Sequence, residues 1–497
     1  MFNSQTCVTR RAFVQGALAG AVAFPYLATA KNALGRVTLA LIGAGTQGRG
    51  LLHQFLGQDV VVTAICDCDK ARREDRTRVV NEYYAKNPQL GVPKDVCRAV
   101  ADFHDVLSDP SIDLVVIATP DHWHAYLAAE AMKAGKDVYC EKPLTHTVNE
   151  AKALMAVAEK TGRILQTGAM QRSSIEFRTA CEIVRNGGIG EVKFVDAVFG
   201  GPSQPPRDFE NPGNAAHEGA PNPEVDFDMW CGPAPRVKYS DRLAPRGVHT
   251  HFPGFWRDHD YFGMGGVGDF GAHQLDIAQW GLGMDASGPV KVVKSNEPVP
   301  GDARFGGRRQ SGLSYVFANG AVVRHVPYRR MRWTTVFYGT EGVVAVDRDQ
   351  FAVWRGKGVT PEDALRARLD AGDAGGAERV AFWLHQGPNP GANDKSLLDA
   401  VSKATKAFGL KKAPVKLYKS LNHPADFVAA CAARRQPCSN IQVGARSAIL
   451  CNLANLSYVH DTGFDWDPVQ NVFANGTGKA EWLDGFYAPR NGLVVRA

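Results

Sequence analysis

Three residues in this chain have types and spacing suited to moving a proton: Lys142, Asp269 and His273. Lys142 closes Asp137-Val-Tyr-Cys-Glu-Lys142, and the proline that follows restricts its backbone. A lysine so placed can hydrogen-bond a reacting oxygen and favour its alkoxide-like form. Asp269 and His273 stand four apart in Gly265-Gly-Val-Gly-Asp-Phe-Gly-Ala-His-Gln-Leu-Asp276. At the start of a helix that spacing puts both side chains on one face, with Asp276 beside them. Taking a hydroxyl proton while a hydride leaves the same carbon calls for a base titrating near neutrality, which histidine supplies. Asp269 would orient the imidazole or hold a substrate hydroxyl. Alone, an Asp–His pair at this spacing reads as a surface ion pair; the elements around it give it another meaning.

Those elements begin with an apolar run, Val37 to Ile42, that enters Gly43-Ala-Gly45-Thr46-Gln47-Gly48 and continues into a short helix, Arg49 to Leu56. Strand, glycine turn and helix in this order form a dinucleotide-binding turn. The first glycine permits the bend, the second lets the backbone approach pyrophosphate, and the third lets helix pack on strand. Pyrophosphate would rest on the unpaired amides of the helix start. A second apolar run, Val60 to Cys66, ends at Asp67, about 20 residues beyond the turn, where a carboxylate accepts ribose hydroxyls and disfavours a 2′-phosphate. The coenzyme is therefore expected to be NAD. Arg72 and Arg73 leave NADP possible unless, as expected, they lie on a solvated helix face. Gly263-Met-Gly265-Gly-Val-Gly268 repeats the glycine spacing but follows no buried strand, so it is expected to be a flexible loop rather than a second nucleotide site.

Residues 31–170 alternate strand and helix: Asp113–Ala118, Ala125–Ala134, Val138–Cys140, Asn149–Lys160, Ile164–Thr167. Such alternation predicts a doubly wound parallel sheet, a Rossmann domain over 31–170, with ligands at the carboxyl ends of its strands. Thr119-Pro120 and Lys142-Pro143 both fall at such ends. Residues 171–470 change style. Runs at Gly320–Pro327, Thr334–Tyr338 and Gly342–Val346 predict an α+β domain on an open, mostly antiparallel sheet, closed by helices at Asp426–Arg434 and Gly444–Ser457. Residues 356–413 read as an irregular insertion with helical pieces at Asp363–Leu369 and Lys395–Ala407. The tail, 471–497, is expected to wrap the surface.

The N-terminus predicts a destination. Thr9-Arg-Arg-Ala-Phe-Val14 is a twin-arginine pattern, followed by an apolar stretch from Ala17 to Leu27 and a small-residue cleavage site, Ala28-Thr-Ala30. The apolar stretch is shorter than the roughly 20 residues that span a bilayer. Residues 1–30 thus read as an export signal, and the mature chain, from Lys31, as a soluble periplasmic protein with no membrane contact. Twin-arginine export machinery carries folded cargo, so a coenzyme acquired before export would be held tightly and recycled in place. Net charge falls from +6 to +4 once Arg10 and Arg11 leave, and no basic cluster alternates with aromatics, so nucleic acid is not an expected partner. The 10 cysteines show no metal-type spacing; Cys66, Cys68 and Cys140 read as ordinary buried thiols. His122 with His124, and His249 with His251, lack further ligands, so no metal is expected.

Taken together, Gly43 to Gly48, Thr119-Pro-Asp-His-Trp-His124, Glu141-Lys-Pro143 and Gly265 to Asp276 resemble the Gfo/Idh/MocA oxidoreductases, over most of residues 36–350. The resemblance implies coenzyme contacts from Gly43, Gly45, Thr46, Gln47, Gly48, Asp67, Thr119, Pro120, His124, Glu141 and Lys142, with Pro120 and His124 beside the nicotinamide ribose. It implies Lys142, Asp269 and His273 as the catalytic set, and a substrate border from His249 to Arg257 in which Trp256 and Arg257 meet a sugar ring. The expected activity is hydride transfer between NAD and a secondary alcohol of a sugar or cyclitol, in a homodimer or homotetramer. Two alternatives stay open. One is a redox-neutral glycosidase that oxidises, eliminates, hydrates and re-reduces; Lys142 argues against the glycosidase branch that lacks this lysine. The other is a non-catalytic sugar-binding protein that keeps NAD as a structural element.

Overall fold

Two sheets organise the chain. The computed structural model describes residues 35–205, 221–248, 255–298, 311–327, 333–356, 378–383 and 394–497. The twin-arginine segment, His249, His251 and the helix expected at 363–369 lie outside the described residues.

The first sheet contains β1 (Thr38–Ile42), β2 (Val61–Cys66), β3 (Arg98–Val100), β4 (Leu114–Ile117), β5 (Asp137–Cys140) and β6 (Leu165–Thr167). Their order is β3-β2-β1-β4-β5-β6, and every pair is parallel. Parallel strands covered by helices on both faces must be apolar throughout, and β1 and β4 are buried at every position. Strand order reverses between β1 and β4, which opens a crevice at their carboxyl ends. The short edge strand β3 was not foreseen; three residues, two of them exposed, carry too little apolar pattern.

The second sheet contains β7 (Val192–Phe199), β8 (Pro289–Pro298), β9 (Ser311–Phe317), β10 (Val322–Pro327), β11 (Thr335–Gly339), β12 (Gly342–Asp347), β13 (Gln350–Arg355), β14 (Glu378–Trp383), β15 (Phe464–Asp467) and β16 (Val472–Phe473). Among the described residues β7 and β10 form its only parallel pair. The mostly antiparallel sheet and the helix at Lys395–Ala407 are thus as predicted, but a strand within the expected insertion is not. Glu378–Trp383 extends the sheet beside β13, and the helix Lys395–Ala407 buries Leu397, Ala400, Val401 and Ala404 in the main core.

The late helices also depart from a simple two-part division. Phe427, Ala430 and Cys431, on His423–Ala433, share one core with Phe55 and Tyr139 of the first sheet's layer. The helix Ile441–His460 packs on both Val148–Thr161 and Ala272–Leu282. The tail reaches back as well: the Arg490 guanidinium donates to the Ala234 carbonyl at 2.7 Å. No described helix is long and apolar enough to cross a membrane.

Candidate active site

A cleft of about 660 Å³ runs along the carboxyl ends of β1, β2 and β4 and ends among charged side chains of the second half of the chain. Its nucleotide end is built by backbone. Gly43 adopts φ +94°, and a Cβ there would lie 2.6 Å from the Ala118 backbone. A Cβ on Gly48 would come within 1.9 Å of the Gly43 carbonyl oxygen. A Cβ on Gly45 would meet only the Arg72 guanidinium, at 3.5 Å. Protein packing therefore explains the outer glycines, while the middle one keeps open space over the cleft. The helix Thr46–Leu56 begins there without a side-chain cap and without an acidic residue in its first turn. Its first amides are suited to an anionic diphosphate. Asp67 lines the same end and accepts the Ala44 amide at 2.7 Å, so its carboxylate is held beside the turn. Cys66 and Cys140 are buried and Cys68 half-buried, with burial pushing all three thiols well up.

Arg72 and Arg73 do not lie on a solvated face. Arg72 is bound to Asp69 and to the carbonyls of Pro245 and Gly247, at 2.5 and 3.3 Å, and Arg73 to the Asp67 carbonyl at 3.2 Å. The helix Lys70–Lys86 buries Val80 and Tyr84 in its later turns, but its first turns are polar, and tertiary hydrogen bonds distinguish the covered arginines there from the solvated Arg78.

The reaction end is built by charge. Strand β5 stops at Cys140, and a capping box, Thr147 with Glu150, starts the next helix at Val148. Between them Glu141 is buried, accepts the Gln47 amide at 2.8 Å, and has its pKa raised by burial. Lys142 Nζ donates to Asp269 Oδ1 at 2.6 Å and to the Asp269 carbonyl at 3.0 Å. Arg257 Nε stands 3.8 Å from the same carboxylate. Burial alone would raise the Asp269 pKa, but Lys142, Arg257 and Arg348 outweigh it and hold the carboxyl below its ordinary value.

His273 reaches the cleft, yet not as the sequence suggests. Asp269 sits in a π-helical turn, Val267–Gly271, ahead of the α-helix Ala272–Leu282, and its carboxylate pairs with Lys142 instead of the imidazole. The His273 Nδ1 is buried with no hydrogen-bond partner among the described residues. Burial, then the charges of Lys142, Arg348 and His423, pull its pKa well below the ordinary value. Asp276 is a brace: Arg172 binds it through two hydrogen bonds of 2.8 Å.

His122 and His124 are bound separately and do not converge. His122 lies against the carbonyls of Phe262 and Trp230, while His124 lies against those of Pro143 and Thr119, at 2.7 and 2.9 Å. Burial lowers their pKa values to about 3 and about 4. His124 therefore sits between the Thr119-Pro120 and Lys142-Pro143 loops and, being neutral, donates its one ring N–H to a carbonyl of one of them, at the edge of the cleft. No metal-binding cluster occurs among the described residues. Trp256 and Arg257 both border the cleft, stacked on one another with the guanidinium 4.3 Å from the ring centre.

Lining residues that the sequence did not single out include Asp121, Arg348 and Asp349. Asp121 is 6% exposed, accepts the Met264 amide at 3.2 Å, and is raised by burial to about 7 against the opposing pull of Lys142 and Arg257. Arg348 and Asp349 come from the β12–β13 turn. The first strand of that hairpin is legible in the apolar run Gly342–Val346, but the second strand and the destination of the turn are not.

Residues 37–169 match the Gfo/Idh/MocA oxidoreductase family's NAD-binding Rossmann fold, and residues 209–325 match its C-terminal alpha/beta domain. The chain belongs to the Gfo/Idh/MocA oxidoreductase family. Among curated relatives it is 32% identical over 167 residues to glycosyl hydrolase family 109 protein 2 of Shewanella sp. (strain ANA-3), covering 33% of this chain and 35% of that one. It is 32% identical over 151 residues to myo-inositol 2-dehydrogenase of Thermotoga maritima, covering 30% and 41%. These matches span well under half of each relative. Among solved structures, levoglucosan dehydrogenase in complex with NADH aligns with TM-score 0.52 and 18% identity, over 88% of this chain and 100% of that one. The fold is shared, and NAD is the coenzyme this Rossmann domain binds.

Proposed function

We propose that this protein oxidises a secondary alcohol of a sugar or cyclitol with a tightly held NAD that is reduced and reoxidised in the same cleft. The observation that carries the reading is the Lys142–Asp269 contact of 2.6 Å, set in a cleft that continues to an uncapped glycine turn. NAD bound along the cleft from the Gly43–Gly48 turn would supply the hydride acceptor for the carbon bearing the hydroxyl. The protein's part is the proton. Lys142 Nζ donates to the substrate oxygen and stabilises its alkoxide-like form. Asp269 holds that ammonium in place and is ionised to do so. His273, neutral and with Nδ1 buried, takes the hydroxyl proton at Nε2. Arg257 and Arg348 supply donors for the remaining hydroxyls. Asp67 beside the turn favours NAD over NADP.

The twin-arginine segment extends this reading: the protein is exported folded, with coenzyme already in place, to the periplasm, where it works as a homodimer or homotetramer. Absorbance and mass spectrometry of protein purified without added nucleotide test retention, and sugars can then be screened for raising or bleaching the reduced-coenzyme band. Protein that carries no nucleotide and takes none up would end the proposal. The family 109 relative supports a second reading, redox-neutral glycoside cleavage. Release of an aryl group from aryl glycosides, with no net NADH, would select it.

A further inference from the structure

We propose that residues 221–248 form the outer wall of the adenosine subsite and retain the coenzyme once it is bound. This rests on the reading of the cleft as an NAD site. With the diphosphate on the Gly43–Gly48 turn and the ribose at Asp67, the adenosine lies against the strip from Cys68 to Arg72. Residues 221–248 are joined to that strip at both ends. At one end Asp69 and Val225 form an antiparallel bridge; the Lys70 amide donates to the Glu224 carbonyl at 2.8 Å and the Asp226 amide to the Cys68 carbonyl at 3.1 Å. At the other end Arg72 donates to the carbonyls of Pro245 and Gly247, and Arg76, 2% exposed, donates to that of Val248 at 2.8 Å. Between them the Trp230 carbonyl accepts the Trp123 indole at 3.2 Å.

The inner surface of this segment suits the task. Val225, Met229, Trp230, Leu243, Ala244 and Pro245 line the same cleft as Asp67. An apolar wall and a carboxylate in one cleft are what a nucleoside needs, with hydroxyls bound by one and base covered by the other. A segment fastened at both ends must lift before the dinucleotide can leave. Arg72 is then a retention residue: its Nε and Nη2 hold the carbonyls of the segment while Nη1 stays over the glycine turn.

The test uses full-length protein carrying NAD. Lys70 and Glu224 are exposed and outside the cleft lining, so Lys70→Cys/Glu224→Cys can be joined by a short bis-methanethiosulfonate and released by dithiothreitol, with the unsubstituted chain as control. NAD remaining bound is followed by gel filtration and chromatography in excess ADP-ribose. The crosslinked protein is expected to lose NAD at least tenfold more slowly than the reduced form, and Arg72→Leu to lose it at least tenfold faster than wild type. Equal release from crosslinked and reduced protein, or failure of the pair to crosslink, overturns the wall. Protein that binds no NAD in any form overturns the underlying reading instead.

Discussion

Two stretches of this chain share the spacing G-x-G-x-x-G, and they meet opposite demands. In Gly43–Gly48 the middle glycine faces open cleft, so its missing side chain leaves room for something outside the protein. In Gly263–Gly268 the room is used by the protein itself. Gly265 has φ +66°, and a Cβ there would lie 2.5 Å from the Pro202 backbone; one on Gly266 would lie 2.4 Å from Gly200. The second loop is not the flexible connection its composition suggests but a tightly packed one, and it sets the start of the turn that carries Asp269. The pattern in a sequence reports only that backbone must come close to something. Which neighbour approaches is decided by the strand before it.

Breaking the contact between Lys142 and the turn that follows the second stretch should have the largest effect. Lys142→Met removes the donor that reaches across to the Asp269 turn, and turnover should fall roughly 10²–10³-fold. Because the glycine turn is untouched, co-purified NAD should stay near wild-type level; loss of both would merge the two ends into one function. Next, Gly265→Ala should lower stability by about 3 kcal/mol, from left-handed strain and overpacking. The folded fraction should still bind NAD within about twofold of wild type, as read by thermal melting and nucleotide titration. Gly45→Ala should do the reverse: NAD affinity falls about tenfold, or roughly 1.4 kcal/mol, and the melting temperature hardly moves. If Gly45→Ala unfolded the protein while Gly265→Ala spared it, the assignment of the two loops would be exchanged.

The smallest effect concerns Asp121, whose carboxylate receives the Met264 amide of the second loop. Its folded pKa, about 7, lies above the ordinary 3.8 because of burial. Its contribution to stability is therefore complete at acid pH and lost as pH rises through 7. Asp121→Asn cannot ionise, so its melting temperature should gain on wild type by about 1–3 °C between pH 5 and 8. A constant difference across that range would contradict the raised pKa.

Much of this was legible in the chain. Five of the six strands of the first sheet, the glycine turn, Asp67, Lys142 and the helix Lys395–Ala407 follow from local pattern, because apolar period and turn chemistry act over a few residues. What escaped depends on distant partners. Nothing near Arg72 announces that Pro245 and Gly247 will supply its acceptors, and nothing near Arg348 announces a cleft. His273 was legible as a residue but not as a base of low pKa, since burial is a property of the whole fold.

The Lys142–Asp269 bond joins a residue from the early part of the chain to one added much later in synthesis, behind which the helix Ile441–His460 must also dock. A chain that lacks the later part lacks the centre, and the first sheet's core also lacks Phe427, Ala430 and Cys431. Chemical competence and completed assembly thus arrive together, and a broken protein is a silent one.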